Sequence, residues 1–301
     1  MDAAAPSLDA AAHERVPGIA GIVRARRSPP GWEPPGPPAA RPCEDPSLWP
    51  GPGEDLCWLA GDWRILQRRD GHRWSLDDLA TAWFAAGAVG DFAPTRFADL
   101  GCGIGTVLLL LAWRFPNARG IGLEAQEMSV DLARRSLRRN GAERRCEVRL
   151  GDLRDPAVLP EGPVFDLVTG TPPYLPPGTG AASPRPQRAP ARLELRGGIE
   201  AYCNAAAGLL APSGRFVACA PASPSERVDR AVRDHGLALL LRRDVVPRAG
   251  KAALFTLIAC ARGDRDRAPR AIVAPPLVIR DAHGRRTEES LAMRRAFGIP
   301  A

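Results

Sequence analysis

Three glycines in the run Asp99-Leu100-Gly101-Cys102-Gly103-Ile104-Gly105-Thr106 make this the stretch of the chain best suited to hold a ligand. Residues 96–100 read as a short buried strand and residues 104–115 as a helix stopped by Pro116, so the glycines fall in a strand-to-helix turn. Glycine lets the backbone approach a guest closely there, and the helix N-terminus offers unpaired N–H groups. A nucleotide-like cofactor is the natural guest, touching Gly101, Cys102, Gly103, Gly105 and Thr106, with Asp99 before them. One helix later Glu124 closes a second apolar strand at residues 119–123, where a carboxylate accepts hydrogen bonds from ribose hydroxyls. Nicotinamide enzymes share both features. They lack the next one, Thr171-Pro172-Pro173-Tyr174 following a strand over residues 164–170.

This constellation resembles the class I S-adenosylmethionine-dependent methyltransferases that act on planar nitrogen acceptors, whose motif is (Asn/Asp/Ser)-Pro-Pro-(Tyr/Phe/Trp). The chain departs at the first position, where it carries Thr171. The resemblance implies S-adenosyl-L-methionine as cofactor, no metal, and a catalytic motif of Thr171, Pro172, Pro173 and Tyr174. Methyl transfer from a sulfonium to an exocyclic aromatic amine is an in-line substitution, and the amine's lone pair is delocalised into its ring. Acceptors that hydrogen-bond the amino hydrogens favour a tetrahedral nitrogen, and an aromatic ring fixes the base by stacking. In the related enzymes the side-chain oxygen of the first motif residue and the carbonyl of the next supply those acceptors. Consecutive prolines keep the turn stiff, and Tyr174 suits the stacking. The Thr171 hydroxyl accepts one hydrogen bond but reaches less far than an amide. After a third strand at residues 146–150, Asp152 matches the family position that accepts from the cofactor's adenine amino group, with Leu153 beside it; read by itself, Asp152 is a turn-forming residue.

A narrower resemblance, to the bacterial adenine-N6 methyltransferases that modify valine tRNA beside the anticodon, rests on residues 56–87. There, strands at 56–60 and 63–67 around Gly61-Asp62 lead through Gly71-His72-Arg73-Trp74 into a helix at 76–87, with Ser75 as N-cap and Asp77 and Asp78 in its first turn. Trp74 and Asp78 thereby become site candidates, although an N-terminal cap over the sheet accounts for them too. Residues 275–284 resemble the end of the same group, so the likeness runs over residues 56–298.

The elements that must position these residues alternate: helix 126–140 closed by Asn140-Gly141, helix 192–210, strand 214–220, helix 225–235, then strands 237–246 and 252–261. Only Pro247 to Lys251 join the last two, too few for a parallel crossover, so they pair antiparallel. The expected class is α/β: a Rossmann-like, seven-stranded, mostly parallel sheet with a C-terminal antiparallel hairpin and helices on both faces. A nicotinamide domain would continue in parallel. Residues 54–90 form a hairpin and cap helix, and residues 91–301 the methyltransferase domain. Residues 1–53, rich in alanine and proline, are expected to be disordered, with Trp32 and Trp49 incidental. Residues 175–190 read as a Pro/Gly loop long enough for a substrate lid.

Composition narrows the setting. The cysteines Cys43, Cys57, Cys102, Cys146, Cys203, Cys219 and Cys260 are scattered, odd in number and form no Cys-x-x-Cys pair, which argues against a zinc site or a disulfide framework and for a reducing compartment. With no apolar run near the ~20 residues of a membrane span and no signal-like N-terminus, a soluble cytoplasmic monomer without membrane contact is expected. The formal charge is +7, carried almost wholly by arginine, with Lys251 the single lysine; arginine binds phosphate and stacks on bases, which fits a nucleic-acid substrate as well as a GC-rich genome. Three readings stand: an RNA adenine-N6 methyltransferase with tRNA first, a protein glutamine methyltransferase of the release-factor type, and a catalytically inactive cofactor-binding protein associated with RNA.

Overall fold

The computed structural model describes residues 13–14, 16–39, 45–90, 92–159, 162, 164–175, 178, 187, 193–263 and 271–300. An N-terminal sheet runs in the order β1 (His13–Glu14), β2 (Ile22–Arg24), β3 (Glu54–Ala60), β4 (Trp63–Arg68), with β2 and β3 parallel and the other pairs antiparallel. Helix α1 (Leu76–Ala88) follows, opened by a capping box in which Ser75 N–H donates to Asp78 Oδ2 at 2.9 Å.

The main sheet is then built from β5 (Arg96–Leu100), α2 (Thr106–Arg114), β6 (Arg119–Glu124), α3 (Glu127–Arg139), β7 (Cys146–Leu150), β8 (Phe165–Gly170), α4 (Ile199–Leu209), β9 (Leu210–Ala220), α5 (Ser225–Asp234), β10 (Leu237–Val246) and β11 (Phe255–Arg262). Its order is β10-β11-β9-β8-β5-β6-β7. All neighbours from β9 to β7 are parallel, and β11 lies antiparallel between β9 and β10. This is the expected mostly parallel sheet with its terminal hairpin, extended at the β10 edge by β12 (Ile272–Val273) and β13 (Leu277–Val278). Helix α6 (Glu288–Arg295) closes the chain. One apolar layer, including Leu79, Leu108, Val130 and Phe297, packs on one face of the sheet; a second, including Ile199, Tyr202, Val228 and Val232, packs on the other. Parallel strands need both faces covered, and their near-continuous apolar runs supply the surface.

Two expectations change. Residues 13–53 are not a featureless tail: Val23 pairs with Leu56 and is 2% exposed, Leu48 is buried, and Trp49 lies under the Arg139 guanidinium at 4.2 Å. What holds this segment is distant in sequence. Arg24 grips the buried Asp55 carboxylate through Nε and Nη2 at 3.0 and 2.7 Å, and Arg135 of α3 grips Glu54 and the Trp49 carbonyl. Such partners leave no local periodicity to read. The disorder expected of residues 1–12 and 40–44 lies outside the described residues. The helix expected over 192–210 begins only at Ile199, because Gly197 has φ +93° and breaks the run, and β9 starts at Leu210 rather than at residue 214.

Candidate active site

A cleft opens at the carboxyl ends of β5, β6, β7 and β8, where the strand order reverses and α/β sheets leave a crevice. Of the residues singled out from sequence, Gly101, Cys102, Gly103, Thr106, Glu124, Asp152, Leu153, Thr171 and Pro173 line it. The three glycines all have positive φ, but each serves a different neighbour. A Cβ on Gly101 would lie 2.1 Å from Tyr202 Oη, and one on Gly105 would press on Ala133 of α3 at 3.0 Å. A Cβ on Gly103, which lines the cleft, would meet nothing within 4 Å. Gly103 is the position whose missing side chain leaves room for a ligand. Gly105 is set by packing and does not line the cleft.

Asp99 does not line the cleft either. It is 2% exposed beneath the glycine turn, accepting the Leu108 N–H of α2 at 3.1 Å and the Thr169 hydroxyl of β8 at 2.8 Å. It therefore ties the turn to its neighbours rather than binding a guest. Burial pushes its pKa up to about 7 against those two hydrogen bonds. Because the folded value exceeds the unfolded one, its contribution to stability is fully present below about pH 4 and is lost as pH rises through about 7. Asp99→Asn keeps an acceptor without the charge. Urea unfolding of both proteins at pH 5 and pH 8 should therefore find the advantage of wild type over the variant smaller at pH 8. An unchanged difference would mean that Asp99 does not titrate in this range.

Glu124, at the end of β6, is 7% exposed. Its Oε2 accepts the Gly103 N–H at 2.9 Å and its Oε1 the Gln126 N–H at 2.8 Å. Burial pushes its pKa up while these two donors favour the charged form. The Ala125 N–H adds a third donor, and the carboxylate lines the cleft where a vicinal diol could donate to it. Glu124→Ala is expected to weaken cofactor binding by about 1.5 to 3 kcal/mol in a calorimetric titration while the domain stays folded. Collapse of the melting temperature with normal binding by the folded fraction would make Glu124 purely structural.

Asp152 is more engaged than its sequence position suggests. Its carboxylate takes Arg154 Nε on Oδ1 at 2.9 Å and Nη2 on Oδ2 at 2.7 Å, and Oδ1 also accepts the Arg154 N–H. These bonds hold its pKa below the ordinary value and leave one acceptor direction, on Oδ2, for a guest. Three contributors had no signal in the sequence. Arg196 lines the cleft and faces Glu124 and Asp152 with its charge, but it stands in a stretch that reads as helix. Tyr202 forms the wall behind Gly101. Gln187, 3% exposed, accepts the His72 N–H at 3.1 Å and donates to Ser129 Oγ at 3.0 Å, fastening two segments of the cleft rim. Apart from Leu175, Gly178 and Gln187, the expected lid lies outside the described residues.

Beside the cleft lies a second hollow, whose walls include Arg73, Asp77, Pro172, Tyr174, Leu175 and Leu254. His72, Asp78, Thr171 and Pro173 border both spaces, so the fourth-strand motif forms the partition. The Tyr174 ring stacks on Phe255 of β11 (centroids 6.3 Å apart, planes at 13°), and its hydroxyl donates to Cys219 Sγ of β9 at 2.8 Å. Tyr174 is thus a fixed aromatic wall. The Thr171 hydroxyl makes no hydrogen bond among the described residues. Asp78 presents a carboxyl 7% exposed, with a pKa pushed well above the carboxylate range by burial and by Asp77. Trp74 lies outside both spaces, on a groove of the N-terminal sheet.

The reversed strand order and the cleft at the carboxyl ends of the strands give the chain the fold of the class I methyltransferases. Residues 97–177 match the family model described as a methyltransferase domain. The chain is 32% identical over 145 residues to a tRNA1(Val) (adenine(37)-N6)-methyltransferase of Porphyromonas gingivalis, covering 48% of this chain and 56% of that protein. It is 37% identical over 144 residues to a release factor glutamine methyltransferase of Rhodospirillum rubrum, covering 46% and 43%. The chain thus spans about half the length of these curated relatives. Its fold is similar to that of a predicted O-methyltransferase from Agrobacterium tumefaciens, with a TM-score of 0.59, 20% identity and coverage of 75% and 98%. No helix among the described residues is long and apolar enough to cross a membrane.

Proposed function

We propose that this chain transfers a methyl group from S-adenosyl-L-methionine to the N6 amino group of adenine in RNA, with tRNA as the first substrate. The observation that carries this reading is the partition: Thr171 and Pro173 front both a glycine-walled cleft and a hollow whose side is the immobilised Tyr174 ring. The cleft suits the cofactor because Gly103 leaves open space and the Glu124 carboxyl stands in it at the end of β6. When bound, S-adenosyl-L-methionine supplies an electrophilic methyl group on a sulfonium.

The chain's own residues do the positioning. Tyr174, held by Phe255 and Cys219, offers a flat face that fixes a base without itself being reordered. The Thr171 hydroxyl, unbonded among the described residues, can accept one amino hydrogen, and the motif's carbonyl groups can accept another; both draw electron density toward the amine nitrogen. Consecutive prolines keep these acceptors from shifting. The relatives' names support two acceptors, a tRNA adenine and a release-factor glutamine, and the flat aromatic wall favours the planar heterocycle.

Single-turnover assays with labelled cofactor on tRNA, DNA oligomers and release-factor protein separate the readings. Label in tRNA, recovered as N6-methyladenosine by nucleoside mass spectrometry and absent from a deletion strain, is the expected result. Label in protein alone overturns it. In the same assay Thr171→Asn should keep or raise turnover on tRNA if threonine is a tolerated variant of the motif, and lower it on whichever acceptor Thr171 has been fitted to.

A further inference from the structure

The N-terminal sheet carries a groove that the methyl-transfer reading does not use. It lies between the end of β2, the turn after β3 and the segment following α6, and its walls include Arg26, Arg27, Trp32, Trp58, Trp74 and Arg294. Cations and indoles alternate along it. The Arg26 guanidinium lies 4.8 Å from the Trp32 ring and 3.7 Å from the Trp58 ring, and Arg64 covers Trp58 at 3.7 Å. Arg26 is also held by Asp62 at 2.8 Å and by the Gly61 carbonyl at 3.0 Å, so the ladder is fixed before any ligand arrives.

The positive charge on this side is not fully answered. Exposed Arg27 has no ion-pair or hydrogen-bond partner among the described residues. Among the described residues the Arg294 guanidinium is bonded to the Pro300 carbonyl alone, at 3.1 and 2.6 Å. Burial and the neighbouring Arg286 pull the Arg294 pKa down to about 10, and burial, with Arg280 second, lowers that of Arg286. Arg27 and Arg294 beside half-buried indoles make a surface suited to an anion with flat rings: guanidinium groups take phosphate, and bases stack on both indole and guanidinium planes.

Adjacent residues and one shared carboxylate tie the groove to the acceptor hollow. Trp74 faces the groove while its neighbours Arg73 and Ser75 line the hollow, and the buried Asp55 carboxylate binds both Arg24 beside the groove and Arg73, at 2.7 and 3.0 Å. We propose that this groove seats the single-stranded RNA flanking the methylated adenine, with phosphates on Arg27 and Arg294 and a neighbouring base against Trp32 and Trp74. The proposal rests on the RNA reading given above. It assigns the N-terminal segment a role in substrate affinity and leaves the chemistry to the motif after β8.

The test uses the full chain with Arg27→Ala and Trp32→Ala, neither of which touches the cofactor cleft. Both variants should raise the KM for tRNA about tenfold, while kcat and the Kd for S-adenosylmethionine stay within twofold of wild type. Arg27→Ala should also reduce the dependence of log affinity on log salt by about one. Because Arg27 is exposed, this variant keeps the test valid even if Trp32→Ala loosens the N-terminal segment. If wild type methylates tRNA and both variants match its KM and salt slope, the groove assignment is overturned and the proposed function survives. If wild type neither binds nor methylates tRNA, both fall.

Discussion

Gly103→Arg is expected to give no heat of S-adenosylmethionine binding, a loss of more than about 100-fold in affinity, in a protein that still unfolds cooperatively. A Cβ at residue 103, on the cleft wall, meets nothing within 4 Å, so a long side chain occupies the ligand's space rather than the core. Placing a non-glycine residue at φ +55° adds only about 1–2 kcal/mol of strain, which a domain with two apolar layers can tolerate. Gly101 makes the contrast. Even Gly101→Ala should lower the melting temperature, because its Cβ would sit 2.1 Å from the Tyr202 hydroxyl, and Tyr202→Phe should restore part of the loss. Calorimetric titration together with thermal unfolding separates the two outcomes. Undiminished binding by Gly103→Arg would remove the assignment of the cleft.

Tyr174→Ala should abolish methyl transfer, lowering kcat by about 100-fold or more, with cofactor affinity nearly unchanged. Base-on-aromatic stacking contributes about 1 to 3 kcal/mol, and the misplaced amine nitrogen adds to the loss through orientation. Tyr174 also packs on Phe255 and donates to Cys219, so truncation alone could disturb β9 and β11. Tyr174→Phe controls for this: it keeps the ring and its stacking partner, loses only the hydroxyl bond, and should retain turnover close to wild type. Turnover by Tyr174→Ala comparable to that of wild type, measured at saturating cofactor, would exclude the ring from positioning the acceptor.

The strands and turns that carry the site were legible because their signals are short-range. Five apolar runs alternating with helices, and a link read as five residues and found as eight, in either case too short for a crossover, were enough to place β5 to β11 and their terminal hairpin. Glu124 and the motif of residues 171–174 could be placed because each stands directly at a strand's carboxyl end, where an α/β sheet puts its ligands. The sequence also misled where a residue type has two uses. Asp99 and Gly105 belong to the glycine run by position, yet one is a buried tie and the other a packing contact.

Arg196, Tyr202 and Gln187 carry no local mark. Gln187 reaches His72 across 115 positions, and its buried amide is explained only by the two segments it joins. The N-terminal segment is the larger case. Its prolines and alanines argue locally against any element, and Trp32 taken alone is an isolated indole. Only the folded chain sets Arg26 between Trp32 and Trp58 and brings Arg24 and Arg73 to one buried carboxylate. The sequence by itself determined the seven central strands of the main sheet, the glycine turn and the chemical character of the motif, because hydrophobic period, glycine conformation and strand ends act over a few residues. Which space each motif residue faces, which carboxylates are already occupied, and where the N-terminal arginines converge were decided by tertiary structure, because ion pairs, stacking and burial depend on partners that are adjacent only once the chain has folded.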